Sequence, residues 1–295
     1  MSQVNGYRSH VSFAFFGTDD FSVAILEQLK RAGLLPALIV TAPDRPKGRG
    51  LALTSPPVKL WARANHVECV QPIALDSSVR DTLKTKSFEL FVVASYGLII
   101  PKDILDIPAH GALNLHPSLL PKYRGASPIE NQILADDRDA GVTIMLMDEK
   151  MDHGPTLASW KLDAGNWKNR WPLKASELRK ILAEQGGKLL SEIIPRWISG
   201  AITPTPQDEI RATYTKKIAK EDGLIDLSGD PYQNFLKIQA FDGWPGAYFF
   251  TERKGKKIRV TIKDAQYENG ALTITRVCPE GKKEIPYDAF LHGLR

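Results

Sequence analysis

The chain has 295 residues, 43% hydrophobic and 25% charged, with a formal net charge of +5. That length holds two domains with sizeable cores, and the composition is that of a globular chain, not a disordered or fibrous one. No stretch approaches the roughly 18 apolar residues of a membrane span, and the polar opening MSQVNGYRSH lacks signal-peptide architecture, so the expected location is the cytoplasm with no membrane partner.

Residues 11–16 form a short apolar run that stops at Gly17-Thr18-Asp19-Asp20. Residues 21–32 follow with helical spacing, Val23, Leu26 and Leu29 on one face, Ser22 or Asp20 as cap and Gly33 as stop. Residues 35–41 read as a second strand, and strand–helix–strand implies a parallel sheet. A helix is expected over 56–65, a strand over 68–71 and a helix over 77–86. Residues 90–95 (LFVVAS) make a continuous apolar strand of the kind buried on both faces. Residues 112–115 read as strand, 127–135 as helix, 141–148 as strand and 174–201 as helix.

A dinucleotide site is the obvious use of such a sheet. The first strand ends in Gly17-Thr18-Asp19, without the G-x-G-x-x-G glycines, and no Walker motif is present. The fold is therefore Rossmann-like, with its site elsewhere. Thr203-Pro204-Thr205-Pro206 is a linker signature. Beyond it, residues 258–262 and 272–277 alternate apolar and polar around Asn269-Gly270, a hairpin turn signal. The expected organisation is an α/β catalytic domain over 1–200, a linker over 201–208 and a small β-rich domain over 209–295.

Asn114-Leu115-His116-Pro117-Ser118-Leu119-Leu120-Pro121 ends an apolar strand with two prolines. In an extended chain, residues i and i+2 share a face, so Asn114 and His116 project together. A hydrogen-bond donor beside a proton carrier suits acyl chemistry. A carboxylate normally orients such a histidine, and Asp152 in Met151-Asp152-His153-Gly154 is the best candidate. If strand 141–148 lies parallel to strand 112–115, loops beyond their carboxyl ends share one crevice, where these three residues meet. Asp148, Glu149 and His153 compete for the carboxylate and relay roles. Cys69 and Cys278 are far apart and the six histidines lack ligand spacing, so no metal is expected.

The net charge favours a polyanionic partner such as nucleic acid. Pro43-Asp44-Arg45-Pro46-Lys47-Gly48-Arg49-Gly50 places three cations in five residues on a loop after the second strand. Such a loop can carry positive charge to a phosphate backbone. Lys216-Lys217, Arg253-Lys254 and Lys256-Lys257 add basic residues in the second domain.

These motifs, with Ser95-Tyr96-Gly97-Leu98-Ile99-Ile100-Pro101 and Trp244-Pro245-Gly246-Ala247, resemble the methionyl-tRNA formyltransferases over nearly the whole chain. The Asn-x-His-x-Ser-Leu-Leu-Pro block is shared by the wider group of formyltetrahydrofolate-using enzymes, and the basic loop discriminates among them. The resemblance implies formyl transfer from 10-formyltetrahydrofolate to the α-amino group of methionine on initiator tRNA, by a monomer whose C-terminal domain is a small OB-like β-barrel. It places catalysis on Asn114, His116 and Asp152. It places folate contacts on Ser118, Leu119, Leu120, Pro121, Tyr96, Gly97, Leu98 and Ile99, and tRNA contacts on Arg45, Lys47 and Arg49. Asp19 departs from the family's usual proline, and Gln239 from an arginine common before Ala-Phe. The segment Gly165 to Pro172, with two tryptophans, is unusual, and local packing is its expected role. The nearest rival is a sugar N-formyltransferase with the same catalytic residues and a nucleotide-linked amino sugar as acceptor. More distant rivals are a formyltetrahydrofolate hydrolase and a tRNA-binding module without catalysis.

Overall fold

The computed structural model describes residues 11–47, 51–163, 170–253 and 255–293. The elements run β1 (Phe13–Phe16), α1 (Asp20–Arg31), β2 (Leu38–Val40), β3 (Arg45–Lys47), β4 (Ala52–Thr54), α2 (Pro57–Ala64), β5 (Glu68–Val70), α3 (Ser77–Lys84), β6 (Leu90–Val93), α4 (Lys102–Leu105) and β7 (Ala112–His116). They continue as β8 (Arg124–Gly125), α5 (Pro128–Leu134), β9 (Gly141–Leu146), β10 (Thr156–Lys161), α6 (Ala175–Ile198), β11 (Tyr214–Thr215), α7 (Pro231–Ala240), β12 (Tyr248–Arg253), β13 (Lys256–Glu268), β14 (Ala271–Pro279), β15 (Ile285–Pro286) and α8 (Tyr287–His292). The chain forms two compact units. One takes the described residues of Met1–Pro121 with Gly141–Trp160 and Leu182–Arg211; the other takes Lys122–Ala140 and the described residues of Lys161–Ile181 and Ala212–Arg295.

The first unit carries a seven-stranded sheet in the order β10-β9-β7-β6-β1-β2-β5. The five strands β7, β6, β1, β2 and β5 are parallel. This is the mostly parallel, Rossmann-like arrangement expected. Strands β1 (FAFF) and β6 (LFVV) are buried throughout, as both-face coverage requires. Helix α1 buries Phe21, Ile25, Leu26 and Leu29, each aliphatic side chain contributing roughly 1.5–3 kcal/mol. Its cap is Asp19, not Ser22 or Asp20: the Asp19 carboxylate accepts from the Ser22 N–H at 3.2 Å. Extended backbone at Asp19 directs its oxygen to the first turn, where Asp20 is already helical. Gly17 has no alternative at the β1–α1 turn, because a Cβ there would lie 2.6 Å from the Phe15 ring and 2.8 Å from the Ala94 carbonyl.

One premise of the sequence reading is overturned. Strand β9 is antiparallel to β7, pairing Asn114 with Met145 and His116 with Thr143. The carboxyl end of β9 therefore faces the start of β7, and the chain must turn back over the sheet to approach its carboxyl edge. Residues 147–155 make that turn before β10.

In the second unit β12, β13, β14 and β15 form a four-stranded antiparallel sheet. The β13–β14 turn at Asn269-Gly270 has φ of +51° and +80°, the double left-handed conformation that suits this dipeptide. Helix α7, not foreseen from the sequence, starts at Pro231 behind an Asp230 cap. Arg124 on β8 is fully buried and donates to the Tyr214 hydroxyl at 3.0 Å across the β8–β11 pair. Among the described residues, no helix is long and apolar enough to cross a membrane.

Candidate active site

Strand β7 presents Asn114 and His116 on one face, as the two-residue spacing requires. His116 is only 4% exposed, and Asn114 is half-buried. Asp152 reaches both from the 147–155 loop. Its Oδ1 accepts a long hydrogen bond from Asn114 Nδ2 at 3.4 Å and lies 3.6 Å from His116 Nδ1. Asp152 thus approaches both of the other expected catalytic residues, although the strand direction behind that expectation was wrong.

The loop holds this position by close backbone packing. Asp152 has φ +49°, a left-handed conformation that aspartate tolerates better than most residues. A Cβ on Gly154 would fall 1.8 Å from the Leu146 carbonyl, so only glycine fits there. The Leu146 N–H donates to the Pro155 carbonyl at 2.9 Å and closes the turn. His153, a competitor for the relay role, points to other carboxylates: its Nδ1 is 2.6 Å from Asp148 and its Nε2 is 3.5 Å from Glu209.

Thr143, opposite His116 in register, fixes the segment after β7. Its hydroxyl donates to the Ser118 carbonyl at 2.7 Å and accepts from the Leu120 N–H at 3.0 Å. Ser118 is fully buried, and Leu119 covers Gly141 so closely that a Cβ there would be 2.6 Å from it. Leu120 and Pro121 are half-buried. The 96–99 segment follows β6, the parallel neighbour of β7. Leu98 and Ile99 are exposed, Ile99 to 85%, and Gly97 is exposed beside them. Tyr96 packs edge-on against Phe16, and burial pushes its phenol up to about 12. Its hydroxyl is buried and, among the described residues, has no hydrogen-bond partner. Exposed aliphatic groups and an unsatisfied hydroxyl suit a ligand with both an apolar face and polar groups.

A family model described as formyl transferase matches residues 10–194. Methionyl-tRNA formyltransferase of Chloroflexus aurantiacus is 44% identical over 247 residues, which span 83% of this chain and 77% of that protein. The enzyme of the same name from Bacillus subtilis is 36% identical over 302 residues, spanning 95% and 93%. The chain belongs to the methionyl-tRNA formyltransferase family. The structure of the family member from Clostridium thermocellum aligns with a TM-score of 0.59 at 17% identity, covering 94% of this chain and 99% of that one. An N-formyltransferase from Helicobacter canadensis, in complex with folinic acid and dTDP-3-aminofucose, aligns at 0.60 and 16% identity, covering 94% and 98%. Likeness at these identities shows the shared fold alone.

In the basic segment after β2, β3 pairs antiparallel with β4. The root of this pair is fixed by Asp44. Lys59 Nζ donates to both carboxylate oxygens at 2.9 and 2.8 Å, Gln71 Nε2 donates at 2.7 Å and Ser55 Oγ at 3.1 Å. These donors, Gln71 first and then Lys59, hold the Asp44 carboxyl below its ordinary value. Arg45 is exposed on β3, Lys47 ends that strand, and Arg49 lies outside the described residues.

The departures from the family pattern also find places. Asp19 caps α1 and accepts from Ser95 Oγ at 2.8 Å. Gln239 is buried in α7. Of the Gly165 to Pro172 segment only residues 170–172 are described, and there Trp171 Nε1 donates to Asp136 at 2.7 Å.

The second unit has a cleft of about 420 Å³ lined by Glu130, Arg179, Lys217, Asp242 and Trp244, among others. Sequence patterns pointed to neither Thr143 nor Gly154 as part of the site. Thr143 reads as an ordinary strand residue, and the glycine's need becomes visible only from the packing of the turn.

Proposed function

We propose that this chain transfers the formyl group of 10-formyltetrahydrofolate to the α-amino group of methionine on initiator tRNA, giving N-formylmethionyl-tRNA. The observation that carries the reading is the contact of Asp152 with both Asn114 and His116 on β7, in a chain of this family. The Asn114 amide donates to the formyl oxygen as it gains negative charge. His116 accepts the amine proton as nitrogen attacks the formyl carbon, and Asp152 orients and stabilises the resulting imidazolium. The new C–N bond forms, the bond from formyl carbon to folate N10 breaks, and the proton passes to N10. No covalent enzyme intermediate is required.

Tyr96, Gly97, Leu98, Ile99 and residues 118–121 are assigned to the folate site, with exposed Leu98 and Ile99 as its apolar wall. Ser118 is fully buried, its N–H donating to the His116 carbonyl and its carbonyl accepting from Thr143, so its part is to hold the segment that Leu119, Leu120 and Pro121 continue. Arg45 and Lys47 on β3, together with Arg49, are assigned to tRNA phosphates, and the β-rich segment from residue 209 onward adds a tRNA-binding surface with exposed Lys216 and Lys217. A substrate carried by initiator tRNA implies action in the cytoplasm, and a monomer suffices for the chemistry.

A formyl-transfer assay offering methionyl-tRNA and a nucleotide-linked amino sugar together tests the assignment. Formylation of the tRNA alone is expected. Formylation of the sugar alone would replace this reading with that of a sugar N-formyltransferase.

A further inference from the structure

The segment 205–209 lies along the loop that carries Asp152, within the same unit. At the loop's exit Thr205 and Thr156 exchange two backbone hydrogen bonds, both 2.8 Å. Two residues on, Gln207 Nε2 donates to the Asp152 carbonyl at 2.9 Å and to the Gly154 carbonyl at 2.7 Å. Two residues further, Glu209 faces His153. Three successive alternate residues therefore touch three points of one turn.

The Gln207 contact is the one that reaches Asp152. Two carbonyl oxygens converge on one side-chain nitrogen, and the two N–H groups of a primary amide match them. No charged acceptor fits: a carboxylate would set its own oxygens against both carbonyls. The loop needs such a brace, because Asp152 is held in a left-handed conformation that L residues seldom adopt. Its carboxylate must also sit within contact of two partners at once. Misplacing a reacting group by ~1 Å can cost about a hundredfold in rate.

We infer that Gln207 is a positioning residue for the reaction: by holding the carbonyls of Asp152 and Gly154 it aims the Asp152 carboxylate at Asn114 and His116. The inference rests on the reading of Asp152 as a catalytic residue. Gln207 acts through the backbone of that loop.

The test is a double-mutant cycle on the full chain with Gln207→Glu, Gln207→Ala and Asp152→Asn, assayed for formyl transfer to methionyl-tRNA. Gln207→Glu keeps the shape and removes both donors. In the wild-type background, both Gln207 variants are expected to lower kcat about tenfold or more, with KM for either substrate changed less than about twofold. In the Asp152→Asn background, the same changes should cost nothing further, because the carboxylate they aim is gone. Thermal unfolding checks that each variant folds, with Gln207→Ala standing in should the half-buried carboxylate of Gln207→Glu unfold the loop. A wild-type kcat in both Gln207 variants, with Asp152→Asn inactive, overturns this inference and leaves the assigned function standing. An equal loss in both backgrounds also overturns it, since it would mark a general structural role. Full activity in Asp152→Asn overturns the catalytic reading of Asp152 itself, and the inference with it.

Discussion

Asn114 and Asp152 are 38 residues apart in the chain, yet the amide nitrogen of one lies 3.4 Å from a carboxylate oxygen of the other. An antiparallel neighbour strand makes this contact. The β9 chain runs away from the carboxyl edge of β7, and the 147–155 loop must fold back over the sheet to return Asp152 to it. The pairing therefore depends on the turn's backbone, on Gly154 against Leu146, as much as on the side chains that meet.

Removal of either proton-handling group should stop chemistry and spare binding. His116→Ala and Asp152→Asn are each expected to lower kcat by about 10²–10⁴ with little change in tRNA affinity. Asn114→Ala should cost about 10²–10³, since it deletes the oxyanion donor and leaves the His116–Asp152 contact in place. Single-turnover transfer and filter binding of methionyl-tRNA separate the two effects. Undiminished transfer in His116→Ala would remove the imidazole from the mechanism.

Gly154→Ala should act on the same step from outside the catalytic groups. The added carbon would meet a backbone oxygen at 1.8 Å, and a carbonyl in a paired strand cannot turn aside. The turn must shift and carry Asp152 with it. Loss of kcat by about a hundredfold is expected, with folate affinity unchanged in an equilibrium titration. Wild-type kcat would mean that the loop adapts without moving the carboxylate.

Much of this arrangement was legible in the sequence, and the parts that were not have physical causes. The apolar runs LFVV and FAFF announce strands buried on both faces, because composition alone carries that signal. Periodicity carries no strand direction, so it does not reveal that β9 runs antiparallel to β7. Asp152 nevertheless lies against Asn114 and His116, the two residues its type and the resemblance pair it with. The sequence offers Ser22 or Asp20 as the α1 cap and the structure uses Asp19, because all three side chains can cap and only backbone conformation separates cap from first turn. Gln207 carries no signature at all: a glutamine near a proline-rich stretch gains its role from two carbonyls more than fifty residues away.

Asp44 gives the basic hairpin a pH-dependent root. Its carboxyl is held below the ordinary 3.8 by donors from Gln71 and Lys59. A depressed folded-state value means that the stabilisation is complete above the unfolded value and is lost as pH falls through the folded one. Wild type and Asp44→Asn should therefore differ in stability by a constant amount from neutral pH down to about 4. The difference should shrink below that pH. Urea unfolding across the acid range measures it, and a difference that persists at the most acid pH would detach the effect from Asp44 ionisation.

The hairpin itself should read phosphate, not base sequence. Arg45 is exposed on β3, at the end of a strand anchored by Asp44, and carries a charge suited to a phosphate backbone. Arg45→Ala should weaken methionyl-tRNA binding and flatten its salt dependence, lowering the slope of log K against log salt by about 0.9 if one duplex phosphate contact is lost. Asp44→Asn should weaken binding less, since it loosens the root and keeps the cation. Folate affinity should be unchanged in both, because the hairpin follows β2 and the assigned folate segment follows β6. An unaltered salt slope in Arg45→Ala would show that this arginine contacts no phosphate, leaving the electrostatic role to the rest of the loop.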